Sequence, residues 1–125
     1  MQPTKAKRGV LYIHWGDDRK ALDRSIRSLR EVHPELPVHA EKLPDGSTLL
    51  DKSRMMDLSP FEETLFLDAD TVVLDRLDFG FAMARTRGLA CCICECPWAR
   101  RFGGLAHVGD QVEFNTGVLF FTRQA

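Results

Sequence analysis

Glu63-Thr-Leu-Phe-Leu-Asp68-Ala-Asp70-Thr-Val-Val-Leu74 places two aspartates, one residue apart, at the end of an apolar run of β-formers. The run predicts a buried strand over 64–67. In open α/β sheets, ligands collect outside the carboxyl ends of the strands. Two carboxylates there repel an anion, by about 4 kcal/mol per charge pair at ~4 Å and an effective dielectric near 20. A divalent cation between them reverses the sign. Mg²⁺ and Mn²⁺ take one or two carboxylates together with phosphate oxygens and water. Asp68 and Asp70 therefore suit a metal–diphosphate clamp. The same pair also suits a plain turn in which an aspartate bonds the backbone.

Before this stretch, Gly9 to Trp15 is a compact apolar run that predicts a buried strand, and Gly16-Asp17-Asp18 turns the chain with a carboxylate available as a helix cap. Leu22, Ile26, Leu29 and Val32 recur at helical spacing from Arg19 to His33, and Pro34 stops that helix. Leu36 to Leu43 alternates as a second strand. Strand–helix–strand is the unit that builds a parallel sheet. A turn at Pro44–Ser47 leads to a helix over 48–58, with Leu49, Lys52, Met55 and Met56 on its repeat. After the aspartates come a second extended piece (71–74), a short helix over 77–86 closed by Gly88, and a strand over 89–95. A glycine-bearing loop over 97–113 and a last strand over 114–122 complete the chain.

The 125 residues have the length of one domain, with residues 1–8 a polar, frayed lead-in and 9–125 a single unit. Seventeen Lys and Arg against eighteen Asp and Glu give a net charge of −1. That leaves no excess positive charge to hold nucleic acid. No apolar run reaches the roughly 18–20 residues that span a bilayer, and no signal peptide is read, so a soluble, cytoplasmic protein is expected. Cys91, Cys92, Cys94 and Cys96 lie on a strand-like run without zinc-site spacing. They are read as reduced structural residues, with Cys91 on one face and the other three on the opposite face. Arg85 and Arg87 read as surface charges at a helix end, and Arg100-Arg101 as a solvated loop.

Glu113-Phe-Asn115-Thr116-Gly117-Val-Leu-Phe-Phe-Thr122 is the second informative segment. A glycine inside a strand marks close approach of a ligand or another backbone, or a β-bulge. Asn115 offers donors and acceptors that suit a sugar hydroxyl. FLDADTVVL followed about forty residues later by FNTGVLFF resembles the GT-A glycosyltransferases, in particular family 8 and its glycogenin-like members. The resemblance extends from residue 9 to residue 122 and includes a lysine-bearing helix before the Asp-x-Asp strand, here with Lys52.

It implies an α/β GT-A, Rossmann-like fold with a mostly parallel central sheet flanked by helices. It further implies a metal-dependent transferase acting on a nucleoside-diphosphate sugar, with UDP as the donor nucleotide and Mn²⁺ or Mg²⁺ as cofactor. Asp70 would bind the metal, and Asp68 the metal or the ribose. Asn115, Thr116 and Gly117 would line the sugar pocket, and Lys52 would reach the donor, although a solvated helix lysine reads equally well. Ile13, His14 and Trp15 would face the nucleobase, with Trp15 open to a core role, and Ala69 would belong to the nucleotide-sugar site. Asp68, Asp70 and Asn115 are the catalytic candidates.

The acceptor is a glycan, protein or lipid. The family's C-terminal histidine ligand has no counterpart after Phe121, and His107 precedes the Asn-Thr-Gly strand, so a chain lacking the acceptor portion is expected. Two other readings stand beside this one. The first is a non-catalytic or fragmentary nucleotide-sugar-binding domain, able to self-associate through an uncovered last strand. The second is a haloacid-dehalogenase-like phosphatase with Asp68 as nucleophile and Asp70 as general acid. The strand–helix–strand ahead of the aspartates disfavours the phosphatase.

Overall fold

The structure, a computed structural model, describes residues 7–93 and 114–124. Its strands are β1 (Arg8–His14), β2 (Val38–Lys42), β3 (Glu63–Leu67), β4 (Leu89–Ile93) and β5 (Phe114–Thr122). The helices are α1 (Lys20–Val32), α2 (Met55–Leu58) and α3 (Asp78–Arg87), with a 3₁₀ turn over Leu49–Arg54 leading into α2. One five-stranded sheet runs in the order β2-β1-β3-β5-β4. β1 is parallel to β2 and to β3, and β5 is antiparallel to both β3 and β4. Four strands thus share one direction, and the last strand is inserted between two of them with the opposite sense.

Side chains alternate across the sheet and sort into two cores. Val10, Tyr12, Leu65, Leu67 and Phe120 point to the face covered by Leu22 and Leu29 of α1 and by Phe81 and Ala84 of α3. Leu11, Ile13, Phe66 and Phe121 point to the other face, with Leu43 and the partly buried Met55 and Leu58. Helices on both faces explain why β1 and β3 read as unbroken apolar runs. Phe81 and Phe120 meet edge to face, with ring centroids 5.2 Å apart. Gly80 lies against the same ring, since a Cβ there would sit 2.2 Å from Phe120 Cζ. Replacing Gly80 by alanine should therefore lower stability by about 1–3 kcal/mol through overpacking, outweighing the helix-propensity gain of roughly 1 kcal/mol. Urea unfolding checks this, and a variant as stable as wild type would refute it.

Three expectations are revised. Residues 71–74 form no strand, because Val73 N donates to Ser28 Oγ of α1 (2.9 Å) instead of to a neighbouring strand. β5 is not an uncovered last strand. Both its edges are hydrogen-bonded inside the sheet, which closes it to association by edge pairing. Arg85 is more than a surface charge, since its Nε lies 3.2 Å from Oε1 of Glu63. The carboxylate of Glu63, 8% exposed, also receives Arg8 at 2.7 Å, and the Arg8 guanidinium lies 4.4 Å from the centre of the Phe81 ring.

Cys91 is half-buried and Cys92 is exposed, so Cys92 is not the buried residue expected; Cys94, Cys96 and the 97–113 loop fall outside the described residues. No helix among the described residues is long and apolar enough to cross a membrane.

Candidate functional site

β1 and β3 run parallel, so their carboxyl ends open side by side. Past those ends lies an open cleft of about 340 Å³, lined by Ile13 and His14 at the end of β1 with Trp15 just after it, and by Asp68, Ala69 and Asp70 in the turn after β3. Lys52 and Leu49 border it from the 3₁₀ turn, Asp18 from the loop before α1, and Ala21 from the first turn of α1. Seven of the ten candidate residues therefore meet at one place.

Lys52 donates from Nζ to Asp68 Oδ1. Its ammonium also stands 5.9 Å from the centre of the Phe66 ring. The solvated reading of this lysine fails, since only 18% of its side chain is exposed. Asp70 is exposed, while Asp68 and Ala69 are half-buried. Trp15 does both things considered for it, packing against the core beside Ile13 and bordering the cleft. Burial, with Arg19 and Lys42 nearby, holds His14 below the usual imidazole range, so its ring is neutral at neutral pH.

Asn115, Thr116 and Gly117 lie on β5, which pairs with β3 just before the aspartates. Asn115 and Thr116 are exposed on β5 and are not among the described residues that line the cleft. Asn115 Oδ1 accepts a hydrogen bond from its own strand, at Gly117 N (2.7 Å), as an Asx-type turn does. Gly117 is both a bulge and a close approach. β4 pairs Cys91 with Leu119 and Cys92 with Asn115, leaving 116–118 of β5 without partners there. The other side of Gly117 meets Asp68, whose N–H donates to the Gly117 carbonyl at 2.9 Å. A Cβ on Gly117 would sit 3.0 Å from Asp68 Oδ2 and equally close to Asn115 Oδ1. The aspartate is thus one of two close partners, and β5 helps hold it.

The turn that carries the two aspartates is also tied from below. Thr71 bonds the Asp68 carbonyl through both N–H (3.2 Å) and Oγ1 (2.8 Å). Thr71 Oγ1 lies 2.9 Å from Ser25 Oγ, which lies 2.9 Å from Tyr12 Oη. These hydroxyls, and the cleft residues Asp18, Ala21 and Leu49, were not anticipated from the sequence. A signal existed for Asp18, which follows the carboxyl end of a strand as Asp68 does.

Asp68 and Asp70 offer hard oxygen donors at the edge of the cleft, the donor class that Mg²⁺ and Mn²⁺ prefer, and this set fits such a cation. Among the described residues no third histidine, cysteine or carboxylate joins them at ligand spacing, which leaves phosphate and water to complete a shell. A separate group, His33, Glu35 and Asp78, brings one ligand atom from each within 4.8 Å of the others, a spacing that a metal ion can bridge. Its atoms are already engaged. Arg76 reaches Glu35 Oε1 and Asp78 Oδ2, both at 2.7 Å, and Val32 O at 3.1 Å. Leu77 N–H donates to His33 Nε2 (2.8 Å), so the ring proton sits on Nδ1 and faces Glu35 Oε1 at 2.9 Å. These bonds to His33 and Arg76 hold the Glu35 carboxyl down at about 2. The group fastens the end of α1 to the start of α3.

Neither a scan of known protein families nor a search of curated proteins finds a match. Solved structures do match. The glycosyltransferase GlyE of Streptococcus pneumoniae TIGR4 superposes with a TM-score of 0.63 at 18% identity, over 95% of this chain and 35% of its own. The galactosyltransferase LgtC, solved with donor and acceptor sugar analogues, gives 0.62 at 15% identity, over 94% of this chain and 60% of its own.

The fold is GT-A.

A197 from STIV gives 0.54 at 15% identity, over 94% of this chain and 65% of its own. At these identities the likeness is one of fold. The chain spans about a third of the length of GlyE and about three fifths of that of LgtC. In this GT-A domain the Asp68–Asp70 turn and the end of β1 form one wall, and the 3₁₀ turn with Lys52 forms another.

Proposed function

We propose that this domain binds a nucleoside-diphosphate sugar, with UDP as the nucleotide, and serves a glycosyl transfer to a glycan, protein or lipid acceptor. The observation that carries the reading is the convergence of Asp68, Asp70 and Lys52 on one cleft, past the carboxyl ends of parallel strands in a GT-A fold. Asp68 and Asp70 are the residues that would hold Mn²⁺ or Mg²⁺. When bound, such a cation neutralises the charge that builds on the departing diphosphate. Ile13, His14 and Trp15 supply an apolar and aromatic wall for the base. Lys52 adds the one ammonium among the described lining residues, within reach of a phosphate oxygen. The backbone bonds from Gly117 and Thr71 keep the Asp68 peptide in one place.

Calorimetric titration of UDP with and without Mn²⁺, on wild type and Asp70→Asn, tests the reading. Binding should require Mn²⁺ in wild type and weaken roughly 10–100-fold in the variant, as loss of a charged interaction of about 1.5–3 kcal/mol predicts. A folded wild type that binds no UDP under either condition would overturn it. Sugar release from UDP-sugars, scanned over donor sugars, then separates transfer from binding alone.

A further inference from the structure

The Asp68 carbonyl oxygen can only accept, which fixes the direction of every proton in the hydroxyl chain beneath it. Thr71 Oγ1 must donate its proton to Asp68 O, at 2.8 Å. It therefore accepts from Ser25 Oγ, whose proton is then used, so Ser25 in turn accepts from Tyr12 Oη. Tyr12 and Ser25 are fully buried, on β1 and α1 respectively. The chain runs one way, Tyr12 to Ser25 to Thr71 to Asp68, from the core to the lip of the cleft. A second serine strengthens the same tie, since Ser28 Oγ donates to Ser25 O (2.7 Å) and accepts from Val73 N (2.9 Å).

We infer that Thr71, Ser25 and Tyr12 are positioning residues that hold the Asp68–Asp70 turn in its binding geometry. This rests on the reading of Asp68 as part of the donor site. Aligned hydroxyls polarise one another, so the last bond, to Asp68, is strengthened by those behind it. Burial pushes the Tyr12 phenol up from its ordinary value, which keeps its proton available to start the chain. A carboxylate on a turn that swings freely would present its oxygens at many angles. One on a turn tied to Gly117 on one side and to α1 on the other presents them at one.

Three variants and two measurements decide the matter. Thr71→Val keeps the shape and removes the hydroxyl; Thr71→Ser keeps the hydroxyl; Tyr12→Phe removes the first donor. Amide hydrogen exchange over residues 68–73, with no ligand present, should quicken at least tenfold in Thr71→Val, modestly in Tyr12→Phe, and not in Thr71→Ser. Mn²⁺-dependent UDP affinity should follow the same order, with a loss of about tenfold or more in Thr71→Val and recovery to within about threefold in Thr71→Ser. Unchanged exchange in Thr71→Val, or a Thr71→Ser variant as impaired as Thr71→Val, would overturn the inference. If exchange responds as expected while wild type binds no UDP, the tie to the turn stands but its positioning role falls with the proposed function.

Discussion

Replacing Lys52 by alanine is expected to weaken Mn²⁺-dependent UDP binding roughly 10–100-fold with little change in melting temperature. Among the described residues, three carboxylates border the cleft, from Asp18, Asp68 and Asp70, against the single ammonium of Lys52. His14 contributes no compensating charge while its ring is neutral. With Lys52 removed, a bound divalent cation no longer balances the carboxylates, and a diphosphate meets net negative charge at short range. At an effective dielectric near 20, one charge at ~6 Å is worth about 2–3 kcal/mol, which sets the expected range. Lys52→Arg should keep most of the affinity, because the charge survives even though the shape of the donor changes.

The Lys52–Asp68 bond gives this prediction a sharper form. In a double-mutant cycle with Asp68→Asn, the two losses should fall short of adding by about 0.5–3 kcal/mol, the range seen for residues in direct contact. Calorimetric affinities of the four proteins supply the cycle. Equal UDP affinity in wild type and Lys52→Ala would show that the ammonium does no more than neutralise Asp68.

Glu63→Ala should lower stability by about 3 kcal/mol, a fall of about 10 °C in melting temperature. Glu63 opens β3 directly across from Arg8 of β1, and its two oxygens divide between Arg8 and Arg85. Removing the carboxylate leaves the partly buried Arg8 guanidinium without its partner, its remaining named contact being the Phe81 ring. Arg85 is about half exposed and can turn to water, so Arg85→Ala alone should cost less than about 1 kcal/mol. Urea unfolding of both variants checks the contrast. A Glu63→Ala variant within 1 kcal/mol of wild type would show that water replaces the carboxylate at the foot of the sheet.

Much of the framework could be read from residues a few positions apart. The unbroken apolar runs of β1 and β3 and the helical repeat of Leu22, Ile26 and Leu29 each report a local period that any chain must satisfy to bury those side chains. β5 has the bounds its apolar run predicts, and the paired aspartates past β3 border the cleft. At Asn115 the sequence leaves two roles open, because an isolated Asn-x-Gly does not reveal whether the asparagine faces a ligand or bonds its own backbone. The folded chain shows the backbone bond, with Asn115 Oδ1 accepting from Gly117 N.

Residues 71–74 show the same limit. Thr-Val-Val has strong β character, but Ser28, more than forty residues earlier, takes the Val73 N–H that a neighbouring strand would have bonded, and the Thr71 N–H turns back to Asp68 O.

Local chemistry thus set the elements and put the carboxylates at a strand end. Long-range packing settled the insertion of β5 between β3 and β4, the approach of Lys52 to Asp68, and the one-way tie from Tyr12 to the turn. Periodicity is a property of neighbours along the chain, so a single sequence displays it. Partner choice across 46 residues, as between Ser25 and Thr71, depends on how two helix-covered faces close around one sheet, and it exists only once they have closed.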